Sequence, residues 1–239
     1  FQSLIMDYEK PWNSTNIDEA MAFVRDDKNL IAYNAERNVR VFPSSGFILP
    51  VDAENAVKSG VIKASEKSQC LKEIRFEFTE RGLTREQVMM MDVLANNDWK
   101  RGIYFSSPGG SSVSIALYSR GHVKQNGLVF ELSPLNDMRN RFDSEKMYKN
   151  LMTNYAYGEM ANPAVLTDYY TRRHTGQYRL HFASLADDFL AKADEELQMA
   201  ASKKMNAEML RKNGRGADAD KLIASIGNAD AKAKEYKKK

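Results

Sequence analysis

The chain has 239 residues, of which 43% are hydrophobic and 28% charged, a globular composition that excludes global disorder, collagen and coiled-coil-only architectures. Its 35 basic and 32 acidic residues give a net charge of +3, a mixed balance that by itself does not indicate nucleic acid or anionic lipid as a partner. The single cysteine, Cys70, excludes an internal disulfide and every multi-cysteine metal site.

The first part of the chain carries nearly all the β-type patterns. Apolar residues alternate in 39–41 and 47–51 on either side of the turn sequence Pro-Ser-Ser-Gly at 43–46, which predicts a hairpin with a four-residue loop. Residues 74–78 alternate apolar and charged side chains, which predicts a half-buried strand.

A helix and several short strands follow. Thr84 and Gln87 have capping-box spacing ahead of an apolar helical face that runs to Asn97, so we expect a helix there. Asp143 or Ser144 can cap another helix. Short apolar runs predict strands at 103–106, 113–117 and 128–132.

The chain changes character near residue 160, after which no segment predicts a strand. Asn162-Pro163 is a helix-start pattern, the stripe in 182–190 has helical spacing, and Gly176 marks an expected break. Glycines at 214 and 216 predict the end of that helix, residues 217–226 a short last helix, and 230–239 a frayed basic tail.

These patterns predict an α+β fold with a small mixed or antiparallel sheet packed with helices, followed by an α-helical C-terminal segment. We expect two parts, an α+β domain at 1–160 and a helical segment at 161–239. The second part has the shape of a single helical-repeat hairpin.

The chain offers weak candidates for catalytic or metal chemistry. His174 and His181 are seven residues apart on a predicted helix, whereas zinc ligands on one helix need a spacing of three or four, so we expect no metal site. His122 lies between turn signals and is expected in solvent. The segment 108–112 lacks the lysine of a phosphate-binding loop, and Cys70 is expected to be a small apolar filler. We expect no catalytic residue and no cofactor.

Six tyrosines occur between residues 148 and 178. They could form a stacking surface for sugar or peptide, but the commoner use of tyrosine at helical spacing is to seal an interface, here between the two halves of the chain.

Neither a membrane span nor a signal peptide is predicted. The richest apolar run, 88–95, is short and interrupted by Asp92, whereas a membrane helix needs about 20 apolar residues. Because the chain begins at Phe1 rather than methionine, we expect a piece of a longer protein, soluble as given.

Four segments together resemble one family. Residues 97–105, NDWKRGIYF, are similar to the signature N-x-W-x-R-P-I-Y-F, and residues 126–134, NGLVFELSP, are similar to E-G-L-A-Y-R-L-V-P. Residues 147–152, MYKNLM, resemble M-Y-D-N-L-M, and the segments 158–163, 171–173 and 182–186 follow the closing helices of the same pattern in order. This set resembles the Bacteroidetes-type DUF2723 proteins, which are similar to protein O-mannosyltransferases, over roughly residues 85–190.

The resemblance implies a place within a larger protein. Such proteins carry a block of membrane helices in which the sugar-transfer chemistry is expected, followed by a soluble part on the extracytoplasmic, periplasmic side of the inner membrane. The present chain would be that part: a non-catalytic accessory domain positioning an acceptor protein, a glycan or a partner. Its partners would be the membrane-embedded N-terminal part and the acceptor or glycan, with no nucleic acid.

The chain departs from the family pattern at three positions. Gly102 stands where the pattern has proline, Glu131 where it has arginine, and Ser133 where it has an apolar residue. Since the change at 131 reverses the charge, it puts in doubt any anion contact that the family makes there.

Aromatic rings can stack on sugars or peptides, and arginine can bind carboxylate or phosphate with two hydrogen bonds. On this basis the candidate ligand-binding residues are Trp99, Arg101, Tyr104, Tyr148, Arg172 and Arg173. At least as good an interpretation is that these six form an aromatic and arginine network that fixes helices to the sheet.

Two other function classes stay open. The Ala-rich paired helices after residue 180 favour a free-standing helical-repeat-type protein interaction module. A soluble hydrolase is a third alternative, although the sequence does not connect its Asp and His residues into a site.

Overall fold

The computed structural model describes residues 4–6, 14–34, 37–78, 82–107, 109–136 and 142–239. By its contacts the chain divides into two compact units, Phe1–Asp143 and Ser144–Lys239, a division that falls earlier than the predicted one at 160/161. Small mixed sheets packed with helices, followed by a helical C-terminal part, confirm the predicted α+β class.

The first unit interleaves short strands with helices. In chain order its elements are β1 (Leu4–Met6), β2 (Thr15–Asn16), α1 (Ile17–Arg25), a 3₁₀ helix (Asp27–Asn29), β3 (Ile31–Asn34), β4 (Arg37–Val39), β5 (Val41–Phe42), β6 (Gly46–Pro50), α2 (Ala53–Lys58), a 3₁₀ helix (Ala64–Gln69), β7 (Glu73–Glu77), β8 (Gly82–Leu83), α3 (Arg85–Asn97), β9 (Tyr104–Phe105), α4 (Ser112–Ser119), β10 (Val123–Asn126) and β11 (Val129–Leu132). The described strands pair in the orders β5-β1-β8, β2-β6-β7 and β10-β11-β9, and β3 pairs with β4.

The turn at 43–46 does not close the predicted hairpin. β5 pairs in parallel with β1, whereas β6 pairs with β2 and β7. Ser44 Oγ is buried and lies 2.9 Å from Thr15 Oγ1 and 2.7 Å from Gly46 O. The turn is therefore tied to the start of β2 instead of returning the chain onto β5. The predicted alternation in β6 is correct, because Phe47 and Leu49 are both buried.

An aromatic cluster lies at the centre of the first unit. The Phe47 ring contacts Phe42, Phe76 and Phe78 at centroid distances of 5.4, 5.9 and 5.6 Å. Phe47 also faces Phe76 in the β6–β7 register. The half-buried strand predicted at 74–78 is thereby confirmed, since its apolar side chains enter the core and Arg75 remains exposed.

Of the helices that pack on this core, α3 was predicted correctly and α4 was not. α3 begins after Thr84, where the capping box with Gln87 forms, and it ends at Asn97 as predicted. Residues 113–117 are helical in α4, so the strand predicted there is wrong. Ser111 caps α4 by accepting a hydrogen bond from the Ser114 backbone N–H (3.2 Å). Val113 and Leu117 are buried while Ile115 is exposed, a helical burial pattern.

The second unit is helical. Its elements are α5 (Ser144–Lys149), a π-helical segment (Asn150–Asn154), α6 (Tyr169–Lys212), α7 (Gly216–Ala224) and α8 (Ala229–Tyr236). α5 belongs to this unit because Ser144 hydrogen-bonds Asp188 and Lys192 of α6. These contacts explain why the division falls at 143/144.

The long helix begins later than predicted and is not broken at Gly176. The Asn162 side chain accepts a hydrogen bond from Ala164 N–H (3.0 Å) and forms a turn, so the predicted helix start at 162–163 is wrong. Asp168 caps α6 instead, accepting from Thr171 N–H at 2.7 Å. α6 continues through Gly176 to Lys212.

Small residues form the seam between α6 and the two helices that follow it. Ala193, Ala200 and Ala207 recur at every seventh position of α6 and are buried, which lets helix backbones approach closely. Ala229 and Ala233 of α8 are buried as well. The prediction of a frayed tail at 230–239 is therefore wrong, because α8 packs on α6.

Within the parts of the chain that the structure describes, no helix combines the length and hydrophobicity needed to cross a bilayer. The described regular structure beyond residue 143 is entirely helical.

Candidate functional site

The site with the most polar chemistry lies on one face of the β10-β11-β9 sheet. β10 and β11 form a hairpin in which Asn126 faces Val129 across the turn. Gly127, with a φ of 75°, supplies the first turn position, where a two-residue hairpin favours glycine. β10 was not predicted, because its sequence Val-Lys-Gln-Asn holds a single apolar residue.

The register of this sheet gathers polar side chains around Glu131. Glu131 of β11 lies opposite Lys124 of β10 on one side and opposite Tyr104 of β9 on the other. Directly opposed residues of antiparallel strands share a face. The other face carries Val123 and Leu132 of the core together with the buried Gln125, so Glu131, Lys124 and Tyr104 lie on the face opposite Val123 and Leu132.

The Glu131 carboxyl group is almost completely buried, with 4% of the residue exposed. Its two oxygens accept hydrogen bonds from the Tyr104 hydroxyl (3.0 Å) and from the Asn126 side-chain amide (3.1 Å). A buried carboxylate needs such donors, since burial without them would cost several kcal/mol. Tyr104 and Asn126 therefore hold the carboxylate in a fixed geometry.

Tyr104 connects this buried carboxylate to the surface. Burial, followed by the negative charge of Glu131 and the hydrogen bond to it, raises the pKa of the Tyr104 hydroxyl to about 12. The hydroxyl therefore remains a proton donor to Glu131 at neutral pH. Because the residue is still 53% exposed, part of the ring is open to a ligand.

Gly102 makes room for the Tyr104 ring. A Cβ atom at position 102 would lie 2.7 Å from the Tyr104 hydroxyl oxygen and 2.8 to 2.9 Å from two ring carbons. The glycine is needed here for space, since its backbone is not among those with positive φ. Two of the departures noted in the sequence, Gly102 and Glu131, thus meet at Tyr104.

His122 lies at the start of the same hairpin and is buried, with 3% exposed, so its predicted solvent position is wrong. The backbone explains the burial: His122 N–H donates to Leu117 O (3.0 Å), and its carbonyl accepts from Ser133 N–H (2.7 Å). Nδ1 of the ring has no hydrogen-bond partner among the described residues. Burial lowers the pKa of His122, with a smaller contribution from Arg120.

We expect the stability of the chain to fall as the pH drops below the ordinary histidine pKa of 6.5. A lowered pKa means that the folded state binds fewer protons than the unfolded state, so this contribution is present above pH 6.5 and is lost below it. Urea unfolding at pH 7.5 and 5.5 measures the loss. His122→Phe should reduce the loss, and Gln177→Ala, a change of a non-titrating residue at an exposed position of α6, should leave it unchanged.

Burial also lowers the pKa of His181, so His181→Gln is included to separate the two contributions. An equal loss of stability in the wild-type chain and the His122→Phe variant would contradict the assignment to His122.

The other two predicted ligand residues of the first unit, Trp99 and Arg101, do not contact Glu131 in the way that Tyr104 does. Trp99 is 4% exposed, and its indole Nε1 donates to Pro50 O at 2.8 Å, so the side chain holds the core together. Arg101 is exposed, and its carbonyl accepts from the Asn97 side chain (2.8 Å). The structure therefore joins Tyr104 to Glu131 but places Trp99 in the interior.

The remaining three predicted residues lie in the second unit. Tyr148 packs edge-on against Phe189 at a centroid distance of 5.9 Å. Arg172 and Arg173 lie in the first turns of α6 and are exposed, with Arg172 Nε donating to Asp168 O (3.3 Å).

The tyrosine run divides into packed and exposed members. Tyr157 contacts Tyr178 and Phe182 at 5.7 and 5.9 Å, so these tyrosines pack within the unit. Tyr169 and Tyr170 are each 67% exposed, so the expectation that this run seals an interface is wrong for these two residues.

The structure does not support a reactive or ligand-binding role for the remaining candidates from the sequence, which are Cys70, the histidines and the segment 108–112. Burial raises the pKa of the Cys70 thiol, which disfavours the reactive thiolate. Within the described ranges, no group of three His, Cys, Asp or Glu side chains is placed to hold a metal ion. Ser111 of the predicted loop at 108–112 caps α4, and Pro108 lies outside the described residues.

The arrangement around Tyr104 is suited to binding. It combines a half-exposed aromatic ring with a buried, oriented carboxylate, and ligand sites commonly pair an apolar surface with a few fixed polar groups. Sequence reasoning selected Tyr104 but missed Asn126 and Glu131 as its partners. The sequence feature that could have pointed to Glu131 is its negative charge at a position where the resembling pattern has arginine.

Comparison with known proteins adds a family. The sequence family described as TMEM260-associated domain 2 matches residues 2–153. No curated protein and no solved structure matches the chain.

Proposed function

The chain belongs to the TMEM260-associated domain 2 family, and from this we propose that it is a non-catalytic, extracytoplasmic accessory domain of a TMEM260-like membrane protein. Its role is to position an acceptor protein or a glycan beside the glycosyltransferase-like, membrane-embedded part of the same protein. The likeness of residues 97–105 and 126–134 to DUF2723 proteins supports the link to protein O-mannosyltransferases.

The observation that carries this proposal is the Tyr104–Glu131 pair. The Tyr104 ring is half exposed, while the Tyr104 hydroxyl donates a hydrogen bond of 3.0 Å to the buried Glu131 carboxylate. The orientation of the ring is therefore fixed before a ligand binds. Fixing a contact group in advance reduces the entropy lost on binding. The exposed ring face would stack on a sugar ring or a planar peptide group.

The test titrates the purified chain with three ligands and detects binding by saturation-transfer NMR. The ligands are a mannose oligosaccharide, a Ser/Thr-containing acceptor peptide that bears mannose, and the same peptide without mannose. An aromatic contact is worth about 0.5–1.5 kcal/mol, so Tyr104→Ala should weaken binding about two- to ten-fold. Gly102→Ala should weaken it similarly, because the new methyl group displaces the ring.

Gly109→Ala is the matched control, since the nearest atom to its new methyl group is Ser107 Oγ at 3.9 Å. It should bind as the wild-type chain does. Equal binding by the wild-type chain and all three variants, or no binding of any of the three ligands at millimolar concentration, would contradict the proposed role of Tyr104.

A second candidate function rests on the helical unit. α7 and α8 both pack on α6, and Met199, Met205 and Met209 of α6 are exposed. Methionine is common at adaptable binding surfaces, which favours the interaction module. If this candidate is correct, photo-crosslinking from position 205 in the full chain captures a specific protein partner, whereas crosslinking from the exposed position 204, which lies about 100° or more around the helix from all three methionines, does not.

A further inference from the structure

The N-terminal part of α6 presents an outward face that combines apolar and basic side chains. Tyr169, Tyr170 and Leu180 are each 67% exposed, and Leu166, just before the helix, is 100% exposed. We call the surface formed by residues 166–184 on this side the outer face of α6.

Helix geometry separates the outer face from the packed side. At 100° per residue, Tyr169, Arg173 and Leu180 fall within about 40° of one another and form the centre of this face. Arg172 and Arg179 flank the centre about 60° and 80° to one side of Tyr169, and Tyr170 flanks it about 100° to the other side. The opposite side carries Tyr178 and Phe182, which are partly buried against Tyr157. The packing of this helix therefore leaves the outer face uncovered in the structure.

Basic side chains predominate on the outer face. Arg172, Arg173 and Arg179 are exposed, and no acidic residue occurs between Asp168 and Asp187. The Asp168 carboxylate caps the helix by accepting from Thr171 N–H at 2.7 Å. The whole chain has a nearly balanced charge, but residues 166–184 hold three arginines and one aspartate, a local excess of two positive charges.

We propose that the outer face of α6 lies on the anionic surface of a lipid bilayer. Tyrosine side chains favour the membrane–water interface because one end is apolar and the other polar. Leucine side chains can enter the boundary of the acyl chains, and arginines bind lipid phosphates. This combination of tyrosine, leucine and arginine, with Asp168 as the single acidic residue in 166–184, matches an anionic headgroup layer in both polarity and net charge.

The inference does not depend on the Tyr104–Glu131 pair, and it is tested without a glycan. The full chain is mixed with vesicles of phosphatidylcholine containing phosphatidylglycerol and with vesicles of phosphatidylcholine alone, and the bound fraction is measured by sedimentation. We expect binding to the anionic vesicles that weakens as salt is raised.

The decisive variant replaces Arg172, Arg173 and Arg179 by alanine. Each basic residue near an anionic surface contributes about five-fold in binding, so the triple variant should bind on the order of 100-fold more weakly. The matched control, Lys204→Ala with Lys212→Ala and Lys221→Ala, removes the same charge from exposed positions elsewhere in the unit and should keep near wild-type binding.

Leu180→Ser tests the apolar contribution without changing charge, and circular dichroism confirms that each variant keeps its helix. The proposal is overturned if the wild-type chain does not bind anionic vesicles, if the two triple variants lose binding equally, or if Leu180→Ser has no effect. Crosslinking of position 180 to a protein with no vesicle binding would assign the face to a protein partner instead.

Discussion

Replacing Trp99 by alanine is expected to lower the free energy of unfolding by about 3–5 kcal/mol, the usual cost of removing a large buried aromatic side chain. The indole is part of the main core, and its Nε1 donates to Pro50 O at 2.8 Å. Truncation therefore leaves both a cavity and a carbonyl that has lost its donor. Urea unfolding followed by circular dichroism measures the change.

Two variants make this result specific. Arg101→Ala changes an exposed neighbour and should alter stability by no more than about 0.5 kcal/mol. Trp99→Phe keeps most of the apolar volume and isolates the hydrogen bond, with an expected loss of about 1–2 kcal/mol. If Trp99→Ala left stability unchanged and abolished ligand binding, Trp99 would be a ligand contact and the core assignment would be wrong.

Phe189→Ala should destabilise the helical unit by about 3–5 kcal/mol for a related reason. Phe189 is buried on α6 and connects three helices of the unit, contacting Tyr148 of α5 at 5.9 Å and stacking on Tyr236 of α8 at 6.0 Å. The loss should appear in hydrogen exchange as faster exchange of amides in α5, α6 and α8.

The control for this change is the next residue, Leu190, which is exposed. Leu190→Ala removes a similar amount of apolar side chain from the surface and should alter stability by about 0.5 kcal/mol or less. Because the chain forms two compact units, exchange in α1 and in the β6–β7 pair should stay at the wild-type rate. A uniform increase over both units would show that they unfold together.

Elements with a complete local signal could be predicted from the sequence. α3 has both its capping box and an apolar face, and β7 has strict alternation, so both were predicted correctly. The run 113–117 illustrates the limit, because a short apolar run fits a buried strand or a buried helix. The Ser111 cap, which decides between them, depends on a hydrogen bond that composition does not reveal.

Strand pairing and helix packing between segments that are distant in sequence could not be predicted from local patterns. The turn at 43–46 has hairpin residues, yet β5 takes β1 as its partner. α8 has a weak apolar pattern in a basic tail, and it is ordered by alanine contacts with α6 and by the Tyr236–Phe189 stack. Tertiary packing decided both cases, and local sequence cannot report it.

The candidate site also contains one residue that could be predicted from the sequence and others that could not. Tyr104 could be selected because an aromatic residue in a distinctive motif is a plausible ligand contact. Its partner Glu131 could not, since 27 positions separate the two residues and only the strand register opposes them. His122 was misplaced because neighbouring turn signals indicate exposure, whereas the hairpin buries it.

The fit of Gly102 beneath the Tyr104 ring has a consequence for how substitutions at this site combine. Any side chain at 102 would displace the ring, and the buried carboxylate at 131 would then lose its tyrosine donor. Substitutions at these two positions are therefore expected to be coupled, so that their combined cost in stability differs from the sum of the two separate costs.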